Sequence, residues 1–208
     1  MTIIRLLLVL GILGHAINLY CDRILSIFPH GRLMLKNIQK LRESNFAANL
    51  MEGVSPRVPL RSGVLGVFSI VLEFCGYSAM AAYVFQQTRV FGVILFYCTV
   101  YSCIVSSAYH LKCGLAQYVF LKYNRTEQAK TIILDLMDCG PALRSCFVTL
   151  LAYMVVLFAA IVIGAIGFPV WAVIFTILPL FAALYPFQII GTLHIAAMLS
   201  MLAWILLI

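Results

Sequence analysis

The chain has 208 residues, 64% of them hydrophobic and only 10% charged, with a mean hydropathy of +1.07. A soluble domain averages about 45–50% apolar and about 25% charged residues, and a chain this small cannot hide so much apolar surface from water. The composition therefore excludes a soluble globular protein, a disordered chain and a disulfide scaffold, and leaves an all-α polytopic membrane protein.

Crossing a hydrocarbon core of about 30 Å takes about 20 helical residues. Six stretches are read as spans of one domain covering residues 1–208. The first runs from Ile3 to Phe28 and stops at Pro29; its unbroken apolar character suits a retained span rather than a signal peptide. The second runs from Leu60 to Gln86. The third, Val90 to Leu121, would reach roughly 48 Å at 1.5 Å per residue, so it tilts, kinks or projects. The fourth runs from Cys146 to Ile166, the fifth from Phe168 to Leu184 with Pro179 inside it, and the sixth from Phe187 to Ile208. The runs are continuously apolar rather than alternating, which excludes a β-barrel.

The connections at about 29–59 and 122–144 carry most of the basic residues, among them Arg32, Lys36, Lys40, Arg42, Arg57, Lys122, Arg125, Lys130 and Arg144. Basic loops stay cytoplasmic, so both termini are expected outside, and the expected location is a bacterial inner membrane. The net charge of +7 thus sets topology and attracts anionic lipid headgroups; nucleic acid is not an expected partner. In the first loop, Arg32, Lys36 and Lys40 repeat every four residues while Met34, Ile38 and Leu41 line another side, the pattern of a short basic amphipathic helix. Thr126 to Asp138 reads as a second short helix, ended by Gly140-Pro141. The seven cysteines, Cys21, Cys75, Cys98, Cys103, Cys113, Cys139 and Cys146, lack metal spacing and read as small packing residues.

Ionisable residues inside apolar spans are costly, roughly 2.5–3.5 kcal/mol each at mid-membrane, and so ask for a reason. The first span places His15, Asn18 and Asp22 on one helical face. The second carries Arg61 and Glu73, the third His110 and Lys112, the sixth His194. Counting the rise per residue puts Asp22 about 9 Å, His194 about 10 Å, His110 about 17 Å and Glu73 about 20 Å from the cytoplasmic ends of their spans. Asp22, Arg61, Lys112 and His194 are expected in one layer, with His15, Glu73 and His110 in a deeper one. The fourth and fifth spans carry no intramembrane charge and read as structural or lipid-facing. Asp22 and Arg61 are expected to form a salt bridge at the mouth of a polar pocket, with His110 lining the same cavity. The candidate ligand-binding residues are Asp22, Arg61, His110, Glu73 and His194. No spacing matches a metal, nucleophile or cofactor motif, so no metal or cofactor is assigned and catalytic residues stay unassigned.

Cys21-Asp22-Arg23-Ile24-Leu25-Ser26-Ile27-Phe28-Pro29, Pro59-Leu60-Arg61-Ser62-Gly63-Val64-Leu65-Gly66, Cys75-Gly76-Tyr77 and Ala108-Tyr109-His110 are similar to motifs of a family of uncharacterised bacterial six-span integral membrane proteins. Cys21 stands where that family has glycine, and His194 stands near an expected asparagine. The resemblance implies a six-helix bundle, points to Asp22, Arg61 and His110, and implies no activity. The leading functional expectation is a membrane protein that binds a small or lipid-like ligand in an intramembrane pocket open to the cytoplasm. The alternatives are an intramembrane enzyme acting on a lipid-like substrate, with His110 as acid or base and Asp22 orienting it or ligating a metal, and a small proton-coupled transporter using Glu73 or Asp22.

Overall fold

The computed structural model describes residues 1–43, 45–137 and 141–208, without the side chains of 35–38 and 141–143. Helix α1 (Thr2–Ser26) leads into a two-stranded hairpin, β1 (Ile27–Phe28) and β2 (Gly31–Arg32), in which Ile27 pairs with Arg32 and Phe28 with Gly31. A 3-10 segment (Leu35–Arg42) and the short α2 (Phe46–Leu50) follow. Then come α3 (Arg57–Gln87), α4 (Arg89–Lys122), α5 (Glu127–Met137) and α6 (Pro141–Val162). The last part comprises a 3-10 segment (Val170–Phe175), α7 (Ile177–Leu184), a 3-10 turn (Tyr185–Phe187) and α8 (Thr192–Leu207).

Four of these are long and apolar enough to cross a membrane: α1, α3, α4 and residues Arg144–Val162 of α6. The last two apolar segments, Ile177–Phe187 and Thr192–Leu207, are shorter. The expected fifth span is divided at Thr176, whose extended backbone separates a 3-10 segment from α7. The expected sixth starts late, at Thr192, because Gln188 and Gly191 adopt positive φ and interrupt the helix. The loop helix expected from Arg32 to Leu41 is a 3-10 segment beginning at Leu35, and the side chains of Lys36 and Ile38 lie outside the described residues. So do Asp138, Cys139 and Gly140, where the second loop helix was expected to end.

Helix α3 is the centre of the fold, packed along α1 on one side and α4 on the other. Only Thr88, in extended conformation, separates α3 from α4, so the two run antiparallel from a tight turn. The buried stripe of α3 includes Ser62, Gly63, Gly66, Ser69, Ile70, Glu73, Gly76 and Tyr77, the 3–4 residue repeat of one helical face. Small residues there let backbones meet, as membrane helices require in the absence of a hydrophobic drive between them. A Cβ built on Gly14 of α1 would lie 2.6 Å from the Glu73 backbone nitrogen. Outward-facing Val9, Leu13, Phe68, Val71, Val93 and Ile104 are exposed, an apolar rind suited to lipid.

Polar side chains tie the helices together. Ser62 donates to the Cys21 carbonyl at 3.0 Å and Gln117 to the Leu25 carbonyl at 2.9 Å, fixing the end of α1 against α3 and α4. Between α4 and α6, Tyr101 meets Ser145 at 2.7 Å and Ser102 meets Thr149 at 2.8 Å. Helix α8 runs antiparallel to α1, because Gly191 abuts Leu19, His194 meets His15 and Met201 lies at Gly11. Trp204 stacks edge-on against Phe168 and Tyr83 at the far end of this pair. The six cysteines among the described residues are free, with Cys21, Cys98 and Cys146 buried.

Candidate functional site

The face of α1 that carries His15, Asn18 and Asp22 packs against α3 and α8, and brings its polar groups to Glu73 and His194. Glu73 Oε1 accepts a hydrogen bond from Asn18 Nδ2 at 2.9 Å. The same oxygen lies 3.2 Å from His15 Nδ1 and 3.4 Å from His194 Nδ1. The two histidine Nδ1 atoms are 2.9 Å apart. His194 Nε2 reaches Asp22 Oδ2 at 3.2 Å, while the other oxygen of Asp22 faces His110 Nδ1 at 3.7 Å. A continuous polar chain thus runs from His110 through Asp22 and His194 to Glu73 and His15. Side-chain exposure falls from 34% at Asp22 to 9% at Glu73 and 2% at His15, so Asp22 is the water-facing member and the chain ends dry at His15.

The aromatic wall behind it is equally ordered. His15 packs edge-to-face on Tyr77, with ring centres 5.3 Å apart, and Tyr77 packs the same way on Tyr153 of α6. Room for the His110 ring comes from Gly66: a Cβ there would lie 2.0 Å from His110 Cδ2 and 2.1 Å from Nε2. The ring is therefore wedged with Nε2 towards α3 and Nδ1 towards Asp22.

Four of the five candidate residues, Asp22, Glu73, His110 and His194, meet in this cluster. Arg61 does not, and the expected Asp22–Arg61 salt bridge is absent. Ser62 takes the inward position and bonds the Cys21 carbonyl, which turns Arg61, one residue earlier and about 100° away around the helix, outwards. Arg61 is exposed and lines a separate cleft with Arg57 and Lys122. The two expected layers also merge, because His194 bridges Asp22 and Glu73. Lys112 lies outside the cavity lining. His15 and Asn18 were absent from the candidate set, although their spacing had already placed them on the face of Asp22.

The cluster forms one wall of a cavity of about 760 Å³. From there the lining passes along α4, at Cys103, Ser106 and Tyr109, and along α6, at Phe147 and Leu150. It ends among Leu33, Met34 and Leu41 of the first loop and Ile133 of α5. Helix α6, expected to be structural or lipid-facing, exposes Val148, Leu151 and Val155 outwards and also supplies cavity wall with its inner face, where Leu150 and Tyr153 turn inwards on the 3–4 repeat.

Four apolar helices of membrane-spanning length mark an integral membrane protein, and between its helices lies a cluster of two carboxylates and three histidines. The chain belongs to a family of unknown function (DUF6796), whose model matches residues 1–207. No curated protein and no solved structure matches it.

Proposed function

We propose that this protein binds an amphipathic, lipid-like molecule inside the bundle, its polar end against Asp22, His194 and Glu73 and its apolar part along α4 and α6. The observation that carries this reading is the union, in one cavity of about 760 Å³, of a buried ionisable cluster and a long apolar wall. That volume falls within the roughly 300–1,000 Å³ usual for small-molecule sites, which pair apolar linings with a few convergent polar groups. The basic loops support an orientation with the hairpin and α5 on the cytoplasmic side, and hence a mouth facing the cytoplasm. The basic cleft of Arg57, Arg61 and Lys122 suits anionic lipid headgroups at that surface.

Binding is favoured over acid–base catalysis by His110, because the wedge at Gly66 turns Nε2 of that ring into α3 and leaves only Nδ1 on Asp22. The proton-coupled alternative has the His–carboxylate chain in its favour, but beyond the cluster the helices close on the aromatic packing of Tyr83, Phe168 and Trp204.

A fatty acid bearing a diazirine on its chain tests the reading in vesicles. Labelling at Cys103 and Leu150, resolved to the single residue by fragment sequencing and competed by unlabelled fatty acid, is the expected result. Labelling confined to outward residues such as Val93 and Ile104 would overturn it.

A further inference from the structure

We propose that His15, Glu73 and His194 form a three-ligand site for one divalent transition-metal ion of the Zn²⁺ or Fe²⁺ type, at the inner end of the cavity. His15 Nδ1, Glu73 Oε1 and His194 Nδ1 are mutually 2.9, 3.2 and 3.4 Å apart. Ligand atoms held about 2.0–2.1 Å from a metal lie about 3.3–3.4 Å apart at tetrahedral angles and about 2.9 Å apart at right angles. The observed triangle spans that range. Two imidazoles and one carboxylate are also the donor set that suits zinc hydrolytic sites and ferrous facial triads, both of which keep further coordination positions for water or substrate.

The groups around the triangle do what an outer shell must. Asp22 Oδ2 lies 3.2 Å from His194 Nε2; accepting that N–H leaves a lone pair on Nδ1, the atom aimed at the triangle. Asn18 Nδ2 donates to Glu73 and fixes its carboxylate. Charge points the same way. Glu73 and Asp22 bring two negative charges to a largely buried site, and one dication neutralises both. Three lone-pair-bearing atoms this close repel one another unless a proton or a cation sits among them. The ligands come from α1, α3 and α8, so a bound ion would pin three helices together.

The inference shares Glu73 and His194 with the lipid reading, yet the two fail separately, since metal content and retained lipid are measured on the same sample. The experiment uses full-length protein purified without a polyhistidine tag, checked for folding by circular dichroism. Titration with Co²⁺ is expected to give one equivalent bound, with visible d–d bands that Zn²⁺ abolishes. His194→Ala and Glu73→Gln are expected to lose the bands, and His30→Ala, on the hairpin turn, to keep them. Asp22→Asn is expected to weaken affinity about 10–100-fold without changing stoichiometry. If the triad variants do not fold, X-ray absorption of the Zn²⁺-loaded wild type decides: a nitrogen and oxygen shell with imidazole scattering supports the site. A folded wild type that binds no Co²⁺, retention of the bands in His194→Ala, or a sulfur shell from the free cysteines overturns it.

Discussion

His15 and His194 stand 179 positions apart in the chain, yet their Nδ1 atoms meet at 2.9 Å in the centre of the bundle. One of the two must donate in the metal-free chain. Where Asp22 takes the His194 Nε2 proton, His194 Nδ1 accepts and His15 Nδ1–H donates, its proton occupying the place that a bound metal ion would take. A pairing of this kind requires α1 and α8 to be antiparallel neighbours in one register, so the polar cluster and the helix packing specify each other.

Asp22 holds the two outer histidines, and Arg61 plays no part in this. Asp22→Ala is therefore expected to destabilise the protein by about 1.5–3 kcal/mol, the range for hydrogen bonds to charged groups, and towards its lower end because Asp22 is partly exposed. Arg61→Ala is expected to stay within about 0.5 kcal/mol, as for an exposed residue away from special features. Denaturation in mixed micelles measures both. Equal costs for the two variants would restore the salt bridge that the structure replaces with histidines.

Gly66 exists to seat His110. Gly66→Ala is expected to cost about 1–3 kcal/mol through overpacking, and to cost much less in a His110→Ala background, where the ring is gone. A double-mutant cycle reads this coupling directly. Additive costs would mean that the contact at Gly66 is not with the ring.

Gly14 lets α1 lie on the backbone of α3 beside Glu73. Gly14→Leu is expected to separate the two helices, with a loss of more than about 1–3 kcal/mol because backbone rather than a flexible side chain opposes the new atoms. Thermal melting in detergent is the readout, and a neutral result would contradict the close approach.

The basic loops are expected to share the cytoplasmic side. Cysteines placed at Lys40 and at Glu127, in a background lacking the native cysteines, are expected to react with an impermeant maleimide only in inside-out vesicles. Labelling of either from outside would reverse the orientation.

Much of the bundle was legible in the sequence because hydropathy alone marks long apolar helices: α1, α3, α4 and α6 start and stop within a few residues of the expected spans. The last two segments are less regular than expected, because hydropathy does not register backbone geometry: the extended Thr176 divides the fifth, and positive φ values at Gln188 and Gly191 delay the helix of the sixth. Within the site, periodicity put His15, Asn18 and Asp22 on one face, and the cost of burying charge selected Glu73 and His194. Arg61 was misplaced by a single position. Depth counting put it level with Asp22, but rotation about the helix axis, set by the small-residue stripe through Ser62 and Gly66, put Ser62 inside and Arg61 out. The triangle of His15, Glu73 and His194 had no sequence motif to reveal it, since its members come from three helices and meet only through packing.

Native mass spectrometry of the protein released from nanodiscs tests the central claim most directly. The account predicts one retained amphipathic molecule per chain after bulk lipid is stripped, lost in a Cys103→Trp variant that fills the cavity and kept in the Val93→Trp variant on the outer face. A stripped, folded wild-type chain with no retained molecule, or one held equally by both variants, would contradict it.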